Sequence, residues 1–186
     1  MFIAKQKRKE NIAEYLLYMW QIEDLIRANN CDIDKIEHNI IDKYNVDDNT
    51  KKNIRDWYES LIKMMERENV KGKGHLQINK NIIILLSELH LSLLKSPKFP
   101  EYGAEFYKTL PYIVELRAKA GDNPEGEIET CFNALYGTLL LKLQHKEISK
   151  ETSSAVTQIA KFIAKLAALF KQDEQKPLFG DEEEII

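Results

Sequence analysis

The sequence predicts an all-α fold, a single-domain helical bundle of about six to seven helices. Two observations lead there. Apolar residues recur at helical spacing through most of the chain, and Gly, Pro and Asn collect in the short breaks between those stretches. One segment, Glu127-Ile-Glu-Thr-Cys-Phe-Asn-Ala-Leu-Tyr-Gly-Thr-Leu-Leu-Leu-Lys-Leu143, is apolar around most of its circumference, which marks a helix that neighbours cover on more than one face. It is taken as the central helix, over about 124–145, packed antiparallel to a last helix over about 150–172.

A chain of 186 residues, 44% hydrophobic and 31% charged, suits one compact domain over 1–173 with an acidic C-terminal tail over 174–186. A domain of that size buries about 70% of its unfolded surface, so it needs no covalent staple. The two cysteines, Cys31 and Cys131, are too few for a disulfide framework and read as reduced thiols of a cytosolic protein. No apolar run approaches the ~18 residues of a membrane span, and no apolar stretch follows the basic start, so neither membrane insertion nor secretion is expected. A net charge of -3 gives no global attraction to nucleic acid.

The first helix, about Lys5 to Ala28, carries Ile12, Tyr15, Leu16, Met19, Ile22 and Ile26 on one stripe. Its basic turn of Lys5, Lys7, Arg8 and Lys9 reads as a solvated face, with an anionic surface as the sharper alternative. Asp32 suits the N-cap of a short helix to about Tyr44. A third helix, about Asp48 to Val70, has the cleanest amphipathic stripe, through Ile54, Trp57, Tyr58, Leu61, Ile62, Met64 and Met65. Lys71-Gly-Lys-Gly-His75 lacks the features of a phosphate loop and reads as a C-cap glycine and a mobile link.

The fourth helix, about Asn79 to Lys95, is nearly as apolar as the central one. A fifth follows the Ser96-Pro97-Lys-Phe-Pro100 break and runs from Glu101 to Ala120, with Pro111 expected to kink or split it. Asn123 as N-cap and Pro124 in the first turn open the central helix. Ser149 caps the last helix, whose alanines allow close approach to its neighbour. Leu178 and Phe179 are expected to tack down the tail.

The segments Trp20-Gln-Ile-Glu-Asp-Leu-Ile-Arg-Ala28, Glu127-Ile-Glu-Thr-Cys-Phe-Asn-Ala-Leu-Tyr-Gly137 and Lys146-Glu-Ile-Ser-Lys-Glu-Thr152 resemble an uncharacterised family of small all-helical bacterial proteins, a domain of unknown function. The resemblance covers nearly the whole chain and implies helical architecture. It brings no activity and no site residues with it.

Four polar residues fall inside apolar arcs: Glu23, His90, Arg117 and Glu129. Burying a charge costs several kcal/mol unless it is paired, so these are the candidate buried cluster, with Arg117 bridging Glu129 or Glu23. As structure, such a bridge fixes helix register. As function, Arg117 binds an anion while a carboxylate or His90 moves protons.

No Glu-x-x-His pair, His-Glu-x-x-His, Cys-x-x-Cys or Gly-x-Ser-x-Gly occurs, so neither a metal nor a cofactor is expected, and no catalytic residue is assigned. The leading functional reading is a non-enzymatic helical scaffold or protein-interaction module of a bacterial cytoplasm, forming a homo-oligomer or binding a protein partner; Trp20, Trp57, Met64 and Met65 read first as ordinary core and second as an apolar contact patch for such a partner. The alternative is a small-molecule protein or enzyme that takes an anionic ligand at the Glu/His/Arg cluster. Nucleic-acid binding through Lys5 to Lys9 and Lys71 to Lys73 stands third.

Overall fold

A computed structural model describes residues 2–119 and 125–179. Among them the chain is all-helical, without strands, and forms eight α-helices rather than six or seven. These are α1 (Phe2–Glu10), α2 (Ile12–Ala28), α3 (Ile33–Asn39), α4 (Asp48–Arg67), α5 (Gln77–Lys95), α6 (Pro100–Lys119), α7 (Glu127–Leu143) and α8 (Lys150–Gln175), with a 3-10 turn at Ile41–Lys43. The additional helix comes from Asn11. Its side-chain Oδ1 accepts the Ala13 N–H at 2.9 Å, so Asn11 caps a new helix where unbroken periodicity implied one.

The described residues group into two compact units, one within 2–10 and 14–82 and the other within 11–13 and 83–179. The first unit buries Met19, Ile22, Ile26, Ile36, Ile41, Ile54, Tyr58, Leu61, Met65 and Leu76 together. Trp57 and Met64 pack against that cluster, while Met65 and Trp20 are 0% and 2% exposed. These four residues serve the interior, the first of the two readings the sequence offers for them.

Among the described residues three helix ends close with a non-glycine residue in the left-handed region. Asn30, Asn69 and His145 have φ of 58°, 56° and 54°. Each is followed by an N–H that reaches back five residues: Cys31 to the Ile26 carbonyl, Val70 to Met65 and Lys146 to Leu141, at 2.9, 2.9 and 3.0 Å. This is the Schellman closure, which satisfies carbonyls that the helix leaves open. Asn69 thus ends α4 three residues before Gly72, the glycine expected there.

In the second unit α6, α7 and α8 pack on one another. Pro111 lies inside α6 and does not split it. The central helix starts at Glu127 with Gly126 as its N-cap, later than expected. Asn123 and Pro124, assigned to that start, lie outside the described residues, as do 180–186 of the expected tail. Ser149 caps α8 by accepting the Thr152 N–H at 3.1 Å, and α8 extends to Gln175. Beyond it, Leu178 N–H donates to Asp173 at 2.8 Å and Phe179 meets Phe99 with ring centroids 5.8 Å apart, the tie expected of this stretch.

Among the described residues α8 alone has the length and hydropathy of a membrane span. It buries Ile159, Phe162, Ile163, Leu166 and Phe170 and leaves Lys161 and Lys171 exposed, the division of faces of a packed amphipathic helix.

Asn69 offers a check on the backbone account. Asn69→Val places a β-branched side chain at positive φ and is expected to cost about 1–2 kcal/mol, a fall of about 2–8 °C in thermal unfolding. Asn69→Gly should hold or raise the melting temperature, since glycine adopts that conformation freely.

Candidate functional site

The first unit holds a buried carboxylate at the start of a helix. Glu23, on α2, is 0% exposed. Its Oε1 accepts the Leu76 N–H at 2.9 Å and the Asn79 Nδ2–H at 2.7 Å, and its Oε2 lies 2.5 Å from His75 Nδ1. Leu76 is the residue whose carbonyl receives the first bonds of α5, from Asn79 and Lys80. The carboxylate therefore fills the role of an N-cap supplied from another helix, at the positive end of the α5 dipole. Glu68 adds a second carboxylate there, accepting the Gln77 N–H at 2.6 Å.

The loop between α4 and α5 is held at both ends. Arg27 Nη2 donates to the carbonyls of Val70, just before the Lys71-Gly-Lys-Gly74 segment, and of Gly74 at its end, while Nη1 pairs with Asp24 at 2.8 Å. His75 stacks on Trp20 with centroids 4.2 Å and planes 14° apart. Residues 20, 23, 24 and 27 share one face of α2, so a single helical face supplies the ring, the carboxylate and the guanidinium that fix the loop. The mobile link expected from the glycines is a fastened loop. With Glu23 on Nδ1, His75 is oriented so that Nε2 has no hydrogen-bond partner among the described residues, and its side chain keeps 27% of its surface in water. Chemically this is an oriented imidazole, half of an acid–base pair, with no nucleophile hydrogen-bonded to it.

The second unit has its own buried imidazole. His90 is 2% exposed, enclosed by the rings of Tyr102, Phe106 and Phe162. The Tyr102 hydroxyl donates to Nδ1 at 2.6 Å, and Nε2–H donates to Glu127 Oε2 at 3.3 Å. An ionised Glu127 can only accept, so the N–H of the neutral ring is on Nε2 and Nδ1 accepts from the Tyr102 hydroxyl; burial holds the phenol well above its ordinary range. Burial likewise pulls the His90 pKa below its ordinary value, and the hydrogen bond and charge of Glu127 offset only part of that. The imidazole is neutral at neutral pH. Cys131 is buried, and its thiol is pushed up to about 12, chiefly by burial and then by the Glu127 charge, which leaves it inert as a nucleophile.

Of the four expected residues, Glu23 belongs to the first unit, and His90, Arg117 and Glu129 to the second. Glu23 and His90 are buried; Arg117 and Glu129 are half-buried. Among the described residues Arg117 forms no ion pair, and its Nε is buried without a hydrogen-bond partner. The oxygens of Glu23, which the sequence reading offers to Arg117, are taken by Leu76, Asn79 and His75 within the first unit.

His75 and Asn79 were missed because both stand at the edge of a helix assigned to begin at Asn79. Asn79 shares the arc of Ile82, Leu86 and His90, a polar residue on an apolar face, and that signal was available.

The fold is an all-helical one, and its two polar centres are built inward, one at a helix start and one in an aromatic cage. The chain belongs to the family described as Domain of unknown function (DUF4924), whose model matches residues 1–177. No curated protein and no solved structure matches it.

Two measurements follow from these centres. Glu23→Ala leaves the Leu76 N–H and the Asn79 amide without acceptors, at about 1–3 kcal/mol each, and the melting temperature should drop on the order of 10 °C; an unchanged value contradicts the capping role. For His90, a folded-state pKa below the unfolded value means that its contribution is complete above about pH 6.5 and is lost as pH falls below it. The melting temperature of the parent should therefore fall more steeply from pH 7.5 to 5 than that of His90→Gln.

Proposed function

We propose that the chain is a non-enzymatic protein-interaction module that acts by self-association through the α1 face of its first unit. The observation that carries this reading is an open apolar cavity of about 550 Å³ lined by Phe2, Ile3, Tyr44, Val46 and Ile54, with Lys5, Thr50 and Asn53 among its polar margins. Phe2 stands at its rim 87% exposed, beside Ile3 at 43% and Val46 at 42%. An exposed aromatic side chain next to an apolar hollow is self-complementary, because a two-fold contact lets each copy insert the ring that the other receives. Aromatic anchors seated in pockets are the side chains that dominate such interfaces. The family contributes no function to this reading.

A bacterial origin and a cytoplasmic location belong to the same proposal, supported by the resemblance noted above and by two unpaired thiols. The alternative, an anionic-ligand site or enzyme on Glu23, His90, Arg117 and Glu129, has less support. Glu23 and His90 spend their hydrogen bonds on partners inside the fold.

Sedimentation velocity at tens of micromolar should find the parent as a dimer and Phe2→Asp as a monomer with unchanged helical content. A monomeric parent, or a dimer indifferent to Phe2→Asp and Val46→Asp, contradicts the proposal.

A further inference from the structure

Capping α5 does not exhaust the chemistry of Glu23 and His75. One Glu23 oxygen serves Leu76 and Asn79, and the other is committed to His75 Nδ1 at 2.5 Å. A carboxylate only accepts, so Nδ1 carries the proton and, in the neutral ring, the Nε2 lone pair is free. Stacking on Trp20 with planes 14° apart sets the plane of the ring, and a half-turn within that plane would break the bond to Glu23. The Glu23 side chain is 0% exposed, while the imidazole keeps 27% of its surface in water and its unpartnered Nε2 reaches solvent. The fold thus grips a nucleophile by one nitrogen and presents the other.

The other three histidines lack this combination. His38 and His145 are exposed, and among the described residues neither ring has a carboxylate partner. His90 is 2% exposed with both nitrogens engaged. The segment leading to His75 also holds open donors. Among the described residues the N–H groups of Lys71, Gly72, Lys73, Gly74 and His75 reach no protein acceptor, whereas Val70 before them bonds to Met65 and Leu76 after them to Glu23. Successive free N–H groups in a glycine-containing turn are donors suited to anionic oxygens.

We propose that His75 is a phosphoryl acceptor, modified at Nε2 by a donor of the phosphoramidate class. The Nε2 lone pair forms the new N–P bond as the donor's N–P bond breaks, and the donor nitrogen leaves with that electron pair as a neutral amine; nothing is oxidised or reduced. The ring keeps its Nδ1 proton and gains a positive charge, against which the Glu23 carboxylate already stands. A phosphoryl group remains anionic after transfer, so the open N–H groups of the loop stabilise the modified state, whereas an acyl group would bring them no charge. Glu23 is a positioning residue here: it selects the tautomer and offsets the ring charge without touching the phosphoryl group. The proposal does not rest on self-association through α1.

Phosphoramidate is the probe, incubated with the full chain at neutral pH; peptide mapping under alkaline conditions reads which histidine carries the mass of a phosphoryl group. His75 should be labelled at least about tenfold faster than the more exposed His38 and His145, and phosphorus NMR should identify the Nε2 isomer. In Glu23→Gln the amide oxygen stays with Leu76 and Asn79 and the amide N–H faces Nδ1, which moves the ring proton to Nε2. That variant should label His75 no faster than His38. Circular dichroism checks its fold; if it does not fold, the ratio among the histidines of the parent and the isomer formed decide the matter. Labelling that follows exposure, an Nδ1 product, or a folded Glu23→Gln that reacts as fast as the parent would each overturn the proposal.

Discussion

A carboxylate with no exposure to water needs hydrogen-bond donors to offset its lost hydration, and Glu23 finds three in a row at one helix start. The arrangement works in both directions. Backbone and amide donors at the start of α5 would otherwise be left open, and the carboxylate would otherwise be buried uncompensated. One side chain on α2 thereby sets where α5 begins. Arg27, one turn further along the same face, holds the preceding loop by its carbonyls, so the loop is fixed by acceptors on one side and donors on the other.

His90 in the second unit follows a related logic with the opposite charge outcome. Its aromatic enclosure favours the neutral ring, and a neutral ring has one donor and one acceptor, which Glu127 and Tyr102 complete. Buried polar groups satisfied in this way specify neighbours, because a displaced ring would lose both bonds in a low-dielectric setting. The surface of the first unit offers a contrast, with apolar Phe2 standing exposed at a hollow lined by Ile3, Val46 and Ile54.

Much of the helical pattern was legible because it depends on local chemistry. Asp32 and Ser149 cap α3 and α8 as their positions implied, and the stripe through Ile54, Tyr58, Leu61 and Met65 is the buried face of α4. The misses have local causes too. Asn11 interrupts a continuous apolar stripe by capping, which periodicity does not register, and Asn69 takes the left-handed position usually left to glycine. Glu23 and His90 were recognisable as polar residues on apolar arcs, but their partners were not. His75 reaches Glu23 across 52 positions and Glu127 reaches His90 across 37, and helical spacing carries no information at that range.

The start of α5 is capped by the buried Glu23 carboxylate rather than left as a surface loop. Amide hydrogen exchange at Leu76 tests it most directly. If Glu23 holds that N–H in the interior, Leu76 exchanges only through large-scale opening, with protection comparable to the core amides of α4 and far above that of Lys73. Exchange of Leu76 as fast as Lys73 would mean that the bond does not persist in solution, and the account of the first unit would fail with it.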